Sequence, residues 1–343
     1  MRNRAIAIAA FLVAVTAGGC MSVERPQAEA ERIGRIHRES GAFAALVPQG
    51  AAIEKLADGF RWSEGPVWIR EGGYLLLSDV PANKMYRWSR SDGLSIFLEP
   101  SGYDGPDPAA FREPGSNGLI RGPGNTILMA DHGNRAVARL DLATKTKTFL
   151  ATRYGGKRFN SPNDLVLASD GSIYFTDPPY GLEGLNRSPL KELPHNGVYR
   201  LKPDGEVVLL EKEMSFPNGI ILSPDERTLY VANSDPERAV IIAFDLAPDG
   251  AVAGRRVFSD MTPLVGPEMP GLPDGMAIDK KGNLFATGPG GIHVISPSGE
   301  RLGRIETGTA VANCAFGEDG RTLFLASHQM LARVATSTTG LGY

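Results

Sequence analysis

The chain has 343 residues, of which 42% are apolar, 22% charged and 8% aromatic, values that exclude a wholly disordered protein. Thirty-six Lys and Arg stand against 39 Asp and Glu, a formal net charge of -3. Phosphate backbones are bound by clustered basic excess, so no nucleic-acid partner is expected. Two cysteines cannot build a disulfide framework. The 41 Gly and 25 Pro suit many short strands joined by tight turns, and one large β domain can fill this length.

Residues 1–19 read as a signal peptide: Arg2 and Arg4 make a positive start, 5–17 is an apolar run, and Gly18-Gly19 precede Cys20. The run is too short to cross a bilayer core of about 30 Å. The small-small-Cys ending resembles a bacterial lipoprotein signal, in which Cys20 is lipidated and becomes the first mature residue. Ala17 stands where such signals usually carry a larger aliphatic residue, and the alternative is an ordinary secretory signal with an incidental cysteine. Both readings expect an exported, periplasmic protein, and the first adds a membrane tether through Cys20. Residues 20–50 are polar and read as a spacer, with Pro26 opening a possible helix through Arg35 and the last residues packing on the fold. Cys314 is then the one thiol left for the globular part, expected to be a small buried residue.

Residues 51–343 read as one domain built on a sixfold repeat. Each copy has a small residue or Pro, an Asn, Asp or Glu, usually a Gly, an apolar stretch, a turn, and a β-rich run ending in Ser, Thr or Ala. The copies begin Ser63-Glu64-Gly65-Pro66, Ser116-Asn117-Gly118-Leu119, Pro162-Asn163-Asp164-Leu165, Pro217-Asn218-Gly219-Ile220, Pro273-Asp274-Gly275-Met276 and Ala312-Asn313-Cys314-Ala315. Their polar residues are spaced by 53, 46, 55, 56 and 39, a period near the size of a four-stranded propeller blade. The expected fold is therefore all-β: a six-bladed β-propeller with four-stranded antiparallel blades around a central channel. Closure is expected to pair a strand near 52–56 with the last blade, leaving no open edge.

Equivalent positions in six blades converge on the axis, so the six polar residues should ring one mouth of the channel. Asn or Asp at such places can be a plain turn former, but Glu64 is a poor one. Buried carboxylates without a counter-charge are costly. Glu64, Asn163, Asn218 and Asp274 offer oxygen donors only, a set that suits Ca2+ or Mg2+. Ca2+ is the expected cation, with Mg2+, Mn2+ or Zn2+ as other divalent ions; a set without thiolate or imidazole favours zinc least.

Phe60-Arg61-Trp62-Ser63-Glu64-Gly65-Pro66, Ser161-Pro162-Asn163-Asp164, Tyr174-Phe175-Thr176-Asp177-Pro178-Pro179-Tyr180-Gly181, Phe216-Pro217-Asn218-Gly219-Ile220 and Leu272-Pro273-Asp274-Gly275-Met276 together resemble the SMP-30/gluconolactonase family. The resemblance implies a six-bladed propeller holding a catalytic divalent cation, usually calcium, and hydrolysis of sugar lactones. It further implies that Glu64, Asn218 and Asp274 are metal ligands, Asp274 also serving as base. Asn163 matches an asparagine that ligates the metal in some members and touches substrate in others, and Asp164 matches an acidic residue implicated in some relatives. Animal members carry an Arg two positions before that Asn, where this chain has Ser161; Arg158 is the nearest candidate to replace it.

The expected chemistry is hydrolysis of a small sugar lactone. The metal polarises the carbonyl, and Asp274, or as second choice Asp164, takes a proton from water. Asn117, His132, Arg158 and Asn313 are the candidate substrate contacts. His37 and His195 read as solvated, His293 as structural, and His328 has no evident partner. No G-x-S-x-G elbow supports a serine nucleophile. Loops 102–115 and 178–196 are expected to shape the pocket. Two other readings keep the propeller: a phosphotriesterase-like hydrolase, and a non-catalytic binding propeller stabilised by calcium.

Overall fold

The computed structural model describes residues 31–342; the signal segment and Cys20 lie outside the described residues. Six antiparallel sheets form the six blades of a propeller. Blade 1 runs outward in chain order through Ser63–Ile69, Tyr74–Asp79, Lys84–Ser89 and Gly93–Leu98. The innermost strands of the next five are Ser116–Arg121, Leu165–Leu167, Pro217–Leu222, Met276–Ile278 and Asn313–Gly317. Blade 6 takes three strands from the end of the chain and its fourth, Ile53–Asp58, from the beginning. That strand pairs antiparallel with Met330–Ala335, Ile53 opposite Val334, and closes the ring as expected.

The segment read as a spacer is part of this closure. Arg32–Ile33 adds a fifth strand to blade 6, pairing with Ile53–Asp58, and Arg35–Arg38 adds one to blade 5, pairing with Arg301–Glu306. Among the described residues of the helix expected from Pro26 through Arg35, strand forms instead, because sheet-edge pairing overrides local preference. Gly34 makes the step between blades at φ +62°; a Cβ on it would lie 1.9 Å from the Glu306 carbonyl oxygen. Phe43, Leu46 and Val47 then bury into the contact between blades 5 and 6.

The core consists of six apolar clusters, one between each pair of neighbouring blades. Strands covered on both faces read as unbroken apolar runs. In Leu75-Leu76-Leu77, Leu75 and Leu77 pack toward blade 6 while Leu76 packs toward blade 2. Around the axis, neighbouring inner strands touch through their backbones. Gly118 N donates to Asn163 O and Gly275 N to Ala312 O, both at 2.8 Å. Ser78 Oγ donates to Asn117 O and Thr176 Oγ1 to Asn218 O, which is the work of the Ser or Thr that ends the repeat.

This close approach explains the glycine after the ring residue. A Cβ on Gly219 would stand 2.1 Å from the Asp274 carbonyl oxygen, and one on Gly65 2.1 Å from that of Asn117. Gly219→Ala is therefore expected to destabilise the protein by about 1–3 kcal/mol, as overpacking does. Thermal denaturation of the variant checks this; an unchanged melting temperature contradicts the contact.

Candidate functional site

A cleft of about 660 Å³ opens at one mouth of the channel. Glu64, Asn117, Asn163, Asn218 and Asp274 line its floor, one residue from each of blades 1 to 5. These positions converge because each sits at the entry to an inner strand, and the ring of blades brings the six entries to the axis.

Glu64 is 3% exposed, and its Oε2 accepts the Gly65 N–H at 3.0 Å. Burial pushes its carboxyl up to about 8, against the pull of the Gly65 N–H and with a further push from Asp164. Asp274 is held well above the ordinary carboxylate range, by burial first and then by Glu64, Asp164 and Glu113. Asn218 donates through Nδ2 to Ser234 Oγ at 2.9 Å, and Ser234 donates onward to Pro273 O. The Oδ1 of Asn218 is thereby left to the cleft.

Four of the expected roles change. Asn313, expected to contact substrate, lies outside the cleft lining; its Oδ1 accepts the Cys314 N–H and its amide hydrogen-bonds Glu64. It positions a site residue. His132 is fully buried, beneath Asn117 and Asn163, and cannot meet a substrate. Arg158 is turned away, its guanidinium donating to Asn134 O and its backbone N–H to Glu192. Ser161 is buried as well, donating to Pro178 O and accepting the Gly181 N–H, so it anchors loop 178–196.

Asp164 is the fourth. Side chains alternate along an extended strand, so the residue after a ring residue faces the other way. In blades 1, 2, 4 and 5 that residue is Gly; in blade 3 it is Asp164 and in blade 6 Cys314. Both line a separate, largely apolar cavity of about 480 Å³, formed by the inner strands of all six blades. Asp164 accepts the N–H groups of Leu165 and Ile220 at 2.9 and 3.3 Å, and burial raises its carboxyl to about 7. It lines this cavity and not the cleft, where Asp274 stands. Cys314 is buried as expected, its thiol held far from ionisation by desolvation.

Other cleft residues carried no role in the sequence. Arg112 and Glu113 come from loop 102–115 and Tyr180 from loop 178–196. The two loops are joined by a Phe111–Leu182 bridge and by Arg112 donating to Tyr180 O at 3.3 Å. Tyr180 stacks on Phe216 at 5.6 Å, and its hydroxyl lies by Ser234. Burial, followed by the nearby Asp274, raises its pKa, so it remains a phenol that can donate. Tyr180 belongs to the segment 174–181 that resembles the family, but no repeat position marks it; loop direction alone brings it here. His293 is buried with Nε2 on Pro289 O, structural as expected, while His195 bonds the Tyr199 hydroxyl at 2.9 Å.

Among the described residues no three His, Cys, Asp or Glu side chains cluster as a metal site. The cleft floor offers two carboxylates, Glu64 and Asp274, and two amides, Asn163 and Asn218. Both carboxylates are kept from ionising chiefly by burial, the penalty that a hard cation among oxygen donors removes. The residues therefore fit a divalent ion of the calcium type.

Residues 62–329 match the model of the SMP-30/Gluconolactonase/LRE-like region. The chain is 45% identical over 339 residues to the gluconolactonase of Zymomonas mobilis subsp. mobilis, covering 98% of this chain and 95% of that one. It is 26% identical to the pentonolactonase XacC of Haloferax volcanii over 75% of this chain and 78% of that one. Among solved structures, XC5397 from Xanthomonas campestris, described as a gluconolactonase, superposes with a TM-score of 0.76 at 33% identity, covering 91% of this chain and 99% of that one. The chain belongs to the SMP-30/gluconolactonase/LRE-like family, and it is a lactone hydrolase of the gluconolactonase type.

Proposed function

We propose that the protein opens aldonolactones to aldonic acids at this cleft, using a divalent cation, Ca2+, held by Glu64, Asn163, Asn218 and Asp274. The observation that carries the reading is the pair of buried carboxylates on the cleft floor, each of which raises the other's cost of ionising. When bound, a cation there supplies the Lewis acidity that polarises a lactone carbonyl. Asp274 takes a proton from water as the water oxygen bonds the carbonyl carbon. The ring C–O bond then breaks, and Asp274 returns the proton to the departing ring oxygen, leaving a hydroxy acid. Asn117 and the Tyr180 phenol face the same space and offer partners for sugar hydroxyls.

Two outcomes follow from these roles. Asp274→Asn keeps an oxygen donor but cannot accept the proton, so kcat toward glucono-1,5-lactone in a pH-stat assay should fall about 10²–10⁴-fold, the range of general-base catalysis. Full turnover in this variant removes Asp274 as the base. Calcium binding at pH 7 should also release protons, because the ion-free Glu64 carboxyl, near 8, and the raised Asp274 carboxyl hold protons that the ion displaces. Calorimetry in buffers of different ionisation heat measures that release, and a heat independent of buffer contradicts it.

We also infer export, with Cys20 lipidated on a bacterial membrane facing the periplasm. This is supported by Arg2, Arg4, the apolar run 5–17 and the Gly18-Gly19-Cys20 ending. Cys20→Ser should move the protein from the membrane to the soluble fraction on cell fractionation; an unchanged distribution contradicts lipidation.

A further inference from the structure

His132 lies under the cleft floor, sealed from it. Its ring packs below loop 178–196, where a Cβ on Gly181 would come within 2.9 Å of its own Cβ. It has no exposed surface, so it touches neither substrate nor solvent. Its polar contacts nevertheless reach three cleft residues. Nε2 lies 3.2 Å from Asn117 Nδ2 and 3.4 Å from Asn163 Nδ2. On the opposite side of the ring, Nδ1 lies 3.3 Å from Glu113 Oε2 without the alignment of a hydrogen bond. Glu113 is itself held by Arg112 at 2.8 Å.

An amide Nδ2 can only donate. The imidazole is therefore assigned by the two amides: the bare Nε2 receives an N–H from each, and the hydrogen sits on Nδ1. Each asparagine then turns its Oδ1, the other arm of the planar amide, toward the cleft it lines. With the reverse orientation, Asn163 would present an NH2 group to a cation and Asn117 would lose its acceptor for a hydroxyl or water.

We propose that His132 is a positioning residue that fixes the amide orientation of Asn117 and Asn163, so that the floor presents oxygen. The inference deepens the reading of the cleft as an oxygen cage and rests on it. Loop 102–115 thereby does more than wall the cleft, since it also brings the Glu113 carboxylate beside Nδ1 beneath the floor. Partners behind a ligand commonly change metal affinity 10–100-fold when removed, and the same scale is expected here.

The test uses the mature protein and Ca2+ as probe. ¹⁵N spectra of the wild-type protein should place the His132 proton on Nδ1, with Nε2 bare; a proton on Nε2 overturns the proposal without any mutation. His132→Leu fills the space but accepts nothing, and should weaken Ca2+ binding by calorimetry 10–100-fold. His132→Gln can set Oε1 near the place of Nε2 and should restore most of the affinity. Equal affinity in wild type and Leu variant overturns the proposal while leaving the cage intact. So does equal loss in the Gln and Leu variants when both melt as the wild type does, since that marks a role in filling space. A wild-type protein that binds no Ca2+ overturns the cage reading itself, and this inference falls with it.

Discussion

The architecture turns on bringing buried carboxylates to an axis. Six blades pack through six apolar clusters, and the ring closes through Ile53–Asp58 against Met330–Ala335. Once it closes, the entry residue of each inner strand has nowhere to go but the centre. Glu64 and Asp274 are then held together in a poorly solvated place, a state that hydrophobic packing elsewhere sustains. The electrostatic strain of the site is carried by the packing of the blades around it.

The frame also accounts for the division between the two ends of the channel. Five ring residues face the cleft, and Asp164 and Cys314, which follow ring residues in blades 3 and 6, face the apolar cavity beneath. Glycine fills that second position in the other four blades because a Cβ there would collide with the neighbouring strand, with its backbone at Gly65 and Gly219 and with the Asn313 side chain at Gly275. Asp164 is the exception that carries charge, and it uses both oxygens on backbone N–H groups. It acts on the cleft from below through its field, as its influence on Glu64 and Asp274 shows. Floor and walls thus have different sources: the floor comes from the repeat, and the walls come from loops that the repeat does not govern.

That division also decides what can be read from the amino acids alone. The phase of the polar residue in each copy is a property of local sequence, so the blades, the closing strand and five floor residues are legible. Asp164 misleads because it adjoins a ring residue, and only the period-two rule turns it to the opposite face. Asn313 shares the repeat position but tucks against Glu64 and over Gly275, where a Cβ would stand 2.0 Å from the Asn313 Cγ. His132 stands just past a strand end, a place that is open until loops 102–115 and 178–196 fold over it. Arg112, Glu113 and Tyr180 are invisible as site residues because nothing local aims a long loop. Residues 32–38 are invisible as strands for a related reason: the partners of Arg35–Arg38 lie about 270 positions away, at Gly303 to Glu306.

The lactone hydrolase activity rests on kinship along nearly the whole chain, and the phosphotriesterase-like and non-catalytic readings have no comparable support. The central physical claim is that the oxygen floor works only when a cation completes it. The most direct measurement is a titration of metal-stripped protein with Ca2+, following bound ion and the rate of glucono-1,5-lactone hydrolysis in the same samples. The account predicts that activity rises in proportion to occupancy and saturates at one ion per chain. Full activity in the stripped protein, or ion binding that leaves the rate unchanged, would contradict it.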